Sequence, residues 1–318
     1  PPKREGEGLE EAEAVRIRVA SAADEAGTSI LPEETEARRW EESAAGPGRR
    51  RGRQTARRRV ATPNLRAMKI LLTNDDGLRT PGIEALYEAL IDAHADCGGP
   101  IWSRLGYSTG FVTPIAPLTV QSATSHGVTF HEPLMIREEV LGWGRDPRMT
   151  GVAVDGRPAD CVKLAIANLW PERYGAMDRP DLVISGMNTG ANVGINVIYS
   201  GTIAAALEAA FLGIPSIAVS LHMGGGRADF RRAAREARRA LDIVLRDGLP
   251  DKHACLSINV PRTEIGDERA VPEGGYPVRV CRMNTHGLND KYERRTAPSG
   301  EVYYWAARAT LSDSAALT

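Results

Sequence analysis

Asn74-Asp75-Asp76-Gly77 sets two carboxylates side by side directly after a short apolar run, Lys69-Ile70-Leu71-Leu72. Adjacent like charges at the exit of a buried strand repel, and desolvation penalises both. A metal ion, or a buried Lys or Arg, removes that cost. Asn-Asp-Asp-Gly is equally good Asx-turn chemistry, so the stretch alone reads as a turn or as a metal site. Other loops add oxygen atoms. Ser122, within Gln121–Gly127, brings a hydroxyl, and Asn188, within Gly186–Gly194, brings an amide carbonyl. An all-oxygen set suits a hard divalent cation (Mg²⁺, Mn²⁺ or Ca²⁺), not Zn²⁺.

Gly186, Gly190 and Gly194 let backbone come close to a ligand. Tyr199-Ser200-Gly201-Thr202 opens a predicted helix, where free N–H groups and the helix dipole favour an anion such as phosphate. A hard cation beside an anion cradle suggests metal-assisted phosphoester hydrolysis, the cation polarising the phosphoryl group and acidifying a water. Each element also has a plainer reading. Asn188 and Asn192 are acceptable left-handed turn residues. Ser200 or Thr202 can simply cap its helix. His126, four residues after Ser122, is a candidate general acid or a structural hydrogen-bonding group.

These loops need a scaffold. Met68–Thr73 reads as a strand, and Pro81 follows Thr80 as a good first helical residue, with Ile83, Leu86, Tyr87 and Leu90 at helical spacing. Val128–Phe130 and Leu134–Ile136 alternate like strands, and Val152–Val154 reads as another short one. A helix carrying Val162, Ile166 and Leu169 follows Pro158. Asp181–Ser185 is nearly all apolar, as in a sheet buried on both faces. A helix over Ile203–Leu212, a strand over Ser216–Leu221, an amphipathic helix over Asp229–Arg246 with its Arg side chains solvated, and a strand over Leu256–Val260 complete the pattern. The expected fold is therefore α/β, a Rossmann-like and mostly parallel sheet with helices on both faces, followed by a C-terminal extension. In such sheets ligands bind beyond the carboxyl ends of the strands, where Asn74–Gly77 and Gly186–Gly194 should lie.

The chain has 318 residues, 42% hydrophobic and 25% charged, with net charge −1. That balance supplies no global field for nucleic acid or an anionic membrane. No apolar run reaches the roughly 18 residues of a membrane helix. Cys97, Cys161, Cys255 and Cys281 show no C-x-x-C spacing, which fits a reducing cytoplasm better than a disulfide framework. Residues 1–67 combine a Glu- and Ala-rich block with arginine runs at 49–51 and 57–59, and contain no Met before Met68. They are expected to be a disordered extension, an over-extended start or a fusion.

From Met68 to about Trp305 the chain resembles the SurE family, phosphatases acting on nucleoside monophosphates. The resemblance is carried by Met68–Gly77 with Pro81-Gly82-Ile83, and by Ala116-Pro117 with Gln121-Ser122-Ala123-Thr124-Ser125-His126. Gly156–Val162, Ser185–Gly194, Val197–Thr202 and Ile258–Pro261 extend it. It implies one divalent cation per subunit held by Asp75, Asp76, Ser122 and Asn188. Asp75 and Asp76 would be catalytic, and Asn74, Asn192, Ser200, Gly201 and Thr202 would hold substrate phosphate. The implied reaction is that of a 5′-nucleotidase, an acid-phosphatase-like phosphoric monoester hydrolase, converting nucleoside 5′- and 3′-monophosphates to nucleoside and phosphate. Asp76 is the first candidate for its general base. The family assembles as homodimers or homotetramers that exchange C-terminal elements.

Three departures from the family pattern stand out. Residues 1–67 have no counterpart, 97–114 reads as an insertion between the first helix and the Ala116-Pro117 strand, and Ala306–Thr318 lacks a strand pattern. The expected organisation is a core over 68–262 and an incomplete C-terminal arm over 263–318. Two rival readings are a truncated, non-catalytic nucleotide- or metal-binding protein and a receiver-like phospho-acceptor. The second requires a further Asp after a later strand, where this chain has Ser185-Gly186.

Overall fold

The computed structural model describes residues 15–21, 66–266, 274–281, 283 and 289–310. Its main sheet is built from β1 (Val15–Ser21), β2 (Met68–Thr73), β3 (Gly110–Pro117), β4 (Met135–Val140), β5 (Thr150–Asp155), β6 (Leu182–Thr189), β7 (Ser216–Leu221), β8 (Ala254–Val260) and β9 (Val278–Val280). The helices are α1 (Pro81–Ile91), α2 (Ile101–Arg104), α3 (Pro158–Leu164), α4 (Trp170–Tyr174), α5 (Gly201–Phe211) and α6 (Phe230–Val244). A π-helical turn, Ala165–Leu169, joins α3 to α4, and a 3₁₀ turn, Gly194–Tyr199, precedes α5.

Strands lie in the order β4-β5-β3-β2-β6-β7-β8-β1-β9. The run from β5 to β8 is parallel throughout, and β4 and β1 are antiparallel to their neighbours β5 and β8. From β2 the chain winds outward through β3 to β5. After β6 it winds the other way, through β7 to β8. The reversal falls between β2 and β6, whose ends meet at the Thr73–Ser185 pair. A crevice opens at such a switch point, beyond the carboxyl ends of the strands.

The near-continuous apolar run of β2 is what a doubly covered strand requires. Ile70 and Leu72 pack on one face with Ile83 and Leu86 of α1 and Leu241 of α6. Leu71 packs on the other with Val162 of α3 and Ala205 and Ala209 of α5. Alternation along one strand thus serves both layers, at about 1.5–3 kcal/mol for each large aliphatic side chain taken from water.

Several expectations change here. The supposed insertion over 97–114 includes the first half of β3, which pairs with β2 from Met68↔Gly110 to Leu72↔Pro114. A second strand is expected from the sequence in this region, with Phe111-Val112 and Ile115 as pieces of it, and all three lie in β3. Pro114, inside this interior strand where proline is rare, breaks up the pattern. Within 1–67, Val15–Ser21 forms β1 and pairs antiparallel with β8. Its Val-Arg-Ile-Arg-Val alternation has the strand period, concealed by the acidic composition around it. The rest of that stretch, up to residue 65, lies outside the described residues. Val128–Phe130 is loop, and the neighbouring strand starts at Met135. On α6, Arg238 is buried, not solvated: it donates to the Ala89 carbonyl at 2.9 Å and pairs with Asp242 at 3.0 Å. Residues expected to lack a strand pattern continue β11 (Val302–Thr310), which pairs with β10 (Asn289–Thr296) in a separate two-stranded sheet.

Candidate active site

β2 delivers the acidic pair, and the turn after it is pinned from within. Asn74 is fully buried. Its amide donates to the Gly77 carbonyl and Thr80 Oγ1, each at 3.0 Å, and accepts the Gly77 N–H at 3.1 Å. Gly77 sits at φ +110°, where a side chain would be strained. Asn74, expected at the phosphate, spends its amide on shaping the turn. The turn reading and the metal reading of this stretch coexist, because the Asx turn is what projects the carboxylates.

Asp75 is 3% exposed, and its carboxyl is pushed up to about 6. Burial is the main cause, the Thr202 hydroxyl opposes it, and the charge of Asp76 adds to it. Thr202 Oγ1 donates to Asp75 Oδ1 at 2.5 Å. Asp76 is half-buried, and its Oδ2 accepts both the N–H and the hydroxyl of Thr189, each at 3.1 Å.

β6 supplies the opposing wall. Its register with β7 shifts between Ser185 and Asn188. Gly186, at φ +147°, allows this, because a Cβ there would lie 2.3 Å from the Val219 carbonyl oxygen. A bulge beside a crevice re-aims the next side chain, here Asn188. Its Nδ2 donates to the Gly190 carbonyl at 2.7 Å, which turns Oδ1 the other way. Neither Asn188 nor Asn192 takes the left-handed conformation expected of a turn residue. Asn192 is buried and interlocked with its surroundings. Its N–H donates to Asn259 Oδ1 at 2.9 Å and its Nδ2 to Ser220 Oγ at 2.8 Å, tying the loop to β7 and β8.

The start of α5 closes the floor. Ser200 caps the helix, its Oγ accepting the Ile203 N–H at 3.2 Å. Gly201 lies so near the acidic turn that a Cβ would stand 2.8 Å from Asp75 Cβ. Among the site residues the sequence suggested for phosphate, Thr202 faces Asp75 instead, and Ser200 and Gly201 stay at the helix N-terminus. Ser122 is exposed in a loop tied to the turn through its neighbour, Gln121 N–H donating to the Asp75 carbonyl at 2.8 Å. The same loop is fastened by Ser125 Oγ to the Ile198 carbonyl at 2.6 Å. It is also held by His126 Nε2, 2.9 Å from Glu208 Oε2. Glu208, held below the usual carboxylate range first by that contact, also takes Lys163 at 3.2 Å. His126 is thus a structural anchor of the Ser122 loop. β6 ends without a carboxylate, so the receiver-like reading lacks its third acid.

The donor set passes a chemical test for a hard cation. Asp75, Asp76 and Asn188 stand at the ends of the paired strands β2 and β6, and each side chain is restrained through one of its polar atoms. No partner of the acidic pair among the described residues is a Lys or Arg. A second acidic group, Asp92 and Asp96 with Cys97, has the spacing of a metal site. Asp92 is already consumed by the backbone N–H groups of Cys97 at 2.9 Å and Gly99 at 2.6 Å, and Asp96 pairs with Arg231 at 3.3 Å. It is a satisfied turn beyond the end of α1.

The sequence model described as Survival protein SurE matches residues 70–289, most of the chain. The chain belongs to the SurE family. A 5′-nucleotidase SurE of Syntrophobacter fumaroxidans is 41% identical over 244 residues, covering 77% of this chain and 84% of that protein. The 5′-nucleotidase SurE 1 of Thermus thermophilus is 39% identical over 241 residues, covering 76% and 81%. The crystal structure of the SurE protein from Aquifex aeolicus superposes with a TM-score of 0.55 at 33% identity, over 76% of this chain and 82% of that one. The SurE fold thus accounts for the parallel sheet and the crevice between β2 and β6. No helix among the described residues is long and apolar enough to cross a membrane.

Proposed function

We propose that the protein is a divalent-cation-dependent phosphomonoesterase that hydrolyses nucleoside 5′-monophosphates, and 3′-monophosphates as well, to nucleoside and phosphate. The observation that carries this reading is the buried acidic pair meeting the N-terminus of α5 at the sheet's switch point, with Gly201 against Asp75. Family membership and relatives named 5′-nucleotidase support the substrate class.

Asp75, Asp76, Asn188 and Ser122 would hold one cation, Mg²⁺, Mn²⁺ or Ca²⁺. Bound there, it would supply Lewis-acid polarisation of the phosphoryl group and a water of lowered pKa. The chain's own contribution is positioning. Ser200 and Gly201 would meet the phosphate at the positive end of α5, the Gly201 N–H among the donors. Asp76, the less buried carboxylate, would be the first candidate to take a proton from the attacking water.

The assembly reading rests on the hairpin of β10 and β11. A two-stranded sheet alone is marginal in water, and this one exposes Tyr292, Tyr304 and Trp305 at 65%, 63% and 62%. A second copy of the chain would cover them, giving a homodimer or homotetramer. The cytoplasm suits the free thiols of Cys97, Cys161, Cys255 and Cys281.

A phosphate-release assay on AMP, CMP and a 3′-nucleotide tests the activity. Release should stop with EDTA and return with Mn²⁺ or Mg²⁺. Undiminished release in EDTA contradicts the reading.

A further inference from the structure

We infer that Thr202 and Thr189 are positioning residues that each hold one oxygen of the acidic pair, so that the pair offers the cation one oxygen from each carboxylate. This rests on the proposed cation site and adds an assignment that family resemblance did not supply, since Thr202 was expected to contact phosphate.

The geometry is complementary on the two sides of the turn. Thr202 Oγ1 takes Asp75 Oδ1 at 2.5 Å, and Thr202 is fully buried. Gly201 packs against the same side chain, its Cβ position being 3.2 Å from Asp75 Oδ2. Asp75 is therefore held by a donor at Oδ1, and the missing Cβ of Gly201 leaves Oδ2 uncrowded. Thr189 takes Asp76 Oδ2 twice, through its N–H and its hydroxyl, each at 3.1 Å. Asp76 Oδ1 has no protein hydrogen bond among the described residues. Asn188 repeats the pattern, with Nδ2 on the Gly190 carbonyl at 2.7 Å and its oxygen left over.

A hydroxyl donor on a ligating carboxylate does two things. It fixes the rotamer, so little ordering remains to be done when the cation arrives. It also favours the charged form, which a buried and mutually repelling pair otherwise resists. Residues that hydrogen-bond ligating side chains in this way commonly contribute about 10- to 100-fold in metal affinity. Both threonines also act through the backbone, Thr202 on Asp75 and Thr189 on Asp76, but the hydroxyl bond of the buried Thr202 is the shorter, 2.5 Å against 3.1 Å.

The test is Mn²⁺ affinity of EDTA-stripped protein, read by calorimetry and by electron paramagnetic resonance of free Mn²⁺, in Thr202→Val, Thr202→Ser and Thr189→Val. Thr202→Val keeps the shape and removes the donor, and should weaken Mn²⁺ about 10-fold or more. Thr202→Ser restores the donor and should stay within about 3-fold of wild type, while exposed Thr189→Val should lose roughly 3-fold. At saturating Mn²⁺, KM for the nucleotide should move little in all three. Wild-type Mn²⁺ affinity in Thr202→Val together with a raised KM would make Thr202 a phosphate contact and overturn the assignment. Should Thr202→Val not fold, undiminished Mn²⁺ affinity in Thr189→Val with a weakened Thr202→Ser would overturn it equally. Absence of Mn²⁺ binding by the wild type would refute the cation site itself, and the positioning role with it.

Discussion

The backbone N–H of Gln121 donates to the backbone carbonyl of Asp75 at 2.8 Å. This bond joins the loop after β3 to the turn after β2, one residue from Ser122 and on the backbone of the residue that carries the more buried carboxylate of the pair. Replacing Gln121 by Pro removes the donor while leaving Ser122, Asp75 and Asp76 in place. The expected result is a loss of about 1 kcal/mol or somewhat more in stability, since a buried carbonyl loses its partner. Turnover should fall further, by roughly 10-fold, because ligands displaced by a fraction of an ångström lose catalytic geometry. Thermal melting beside kcat/KM separates the two effects.

Asp75 supplies the pH prediction. Its folded-state pKa is raised to about 6 by burial, then by Asp76. The folded protein therefore holds a proton that the unfolded chain releases near pH 3.9. Stability from this group is complete below about pH 4 and is lost as pH rises through about 6, a change on the order of 3 kcal/mol. In EDTA, Asp75→Asn should flatten this part of the profile and melt higher than wild type at pH 7.5. A cation takes the proton's place, so Mn²⁺ should raise the melting temperature of wild type more at pH 7.5 than at pH 5. Scanning fluorimetry at both pH values, with and without Mn²⁺, measures this. An equal Mn²⁺ shift at the two pH values would refute it.

Gly201 is where the N-terminus of α5 touches the acidic turn. A Cβ there would stand 2.8 Å from Asp75 Cβ and 3.0 Å from Pro158 Cγ. Gly201→Ala must push Asp75 out of position, and about a 100-fold loss of kcat/KM is expected from a shift of that kind. Circular dichroism should remain that of the wild type, since Ala is otherwise favourable in the first turn of a helix. Activity within a few-fold of wild type would show that the position of Asp75 does not depend on the missing Cβ at 201.

The β10–β11 hairpin predicts assembly. Tyr304→Ser with Trp305→Ser removes two large exposed side chains, 63% and 62% accessible in the single chain. If a second copy covers them, light scattering should show the mass falling toward that of a monomer. An unchanged oligomer would place the interface elsewhere.

The acidic turn, the Ser122 loop and the Gly186–Gly194 loop were legible because each couples an apolar strand to turn chemistry, and both signals are local. β3 was legible only in pieces, Phe111-Val112 and Ile115, because the missing N–H of Pro114 argues against an interior strand. β1 was obscured by composition, since a short alternating segment carries little weight inside an acidic stretch. The turn role of Asn74 was legible, because its partner Gly77 is 3 residues away, within reach of a turn rule. The partners of Thr189 and Thr202 were not, lying 113 and 127 residues away. Arg238 escaped in the same way, because its partner Ala89 O belongs to a helix 149 residues earlier.

The central claim is that the acidic pair works by holding a cation against a nucleotide phosphate. Phosphate release from a nucleoside 5′-monophosphate by EDTA-stripped protein, titrated with Mn²⁺ beside Asp76→Asn, tests it most directly. Wild-type activity should rise from baseline to a plateau as Mn²⁺ is added, and Asp76→Asn should stay at least about 100-fold below it at every concentration. Full activity before any Mn²⁺ is added, or an Asp76→Asn enzyme that reaches the wild-type plateau, would contradict the account.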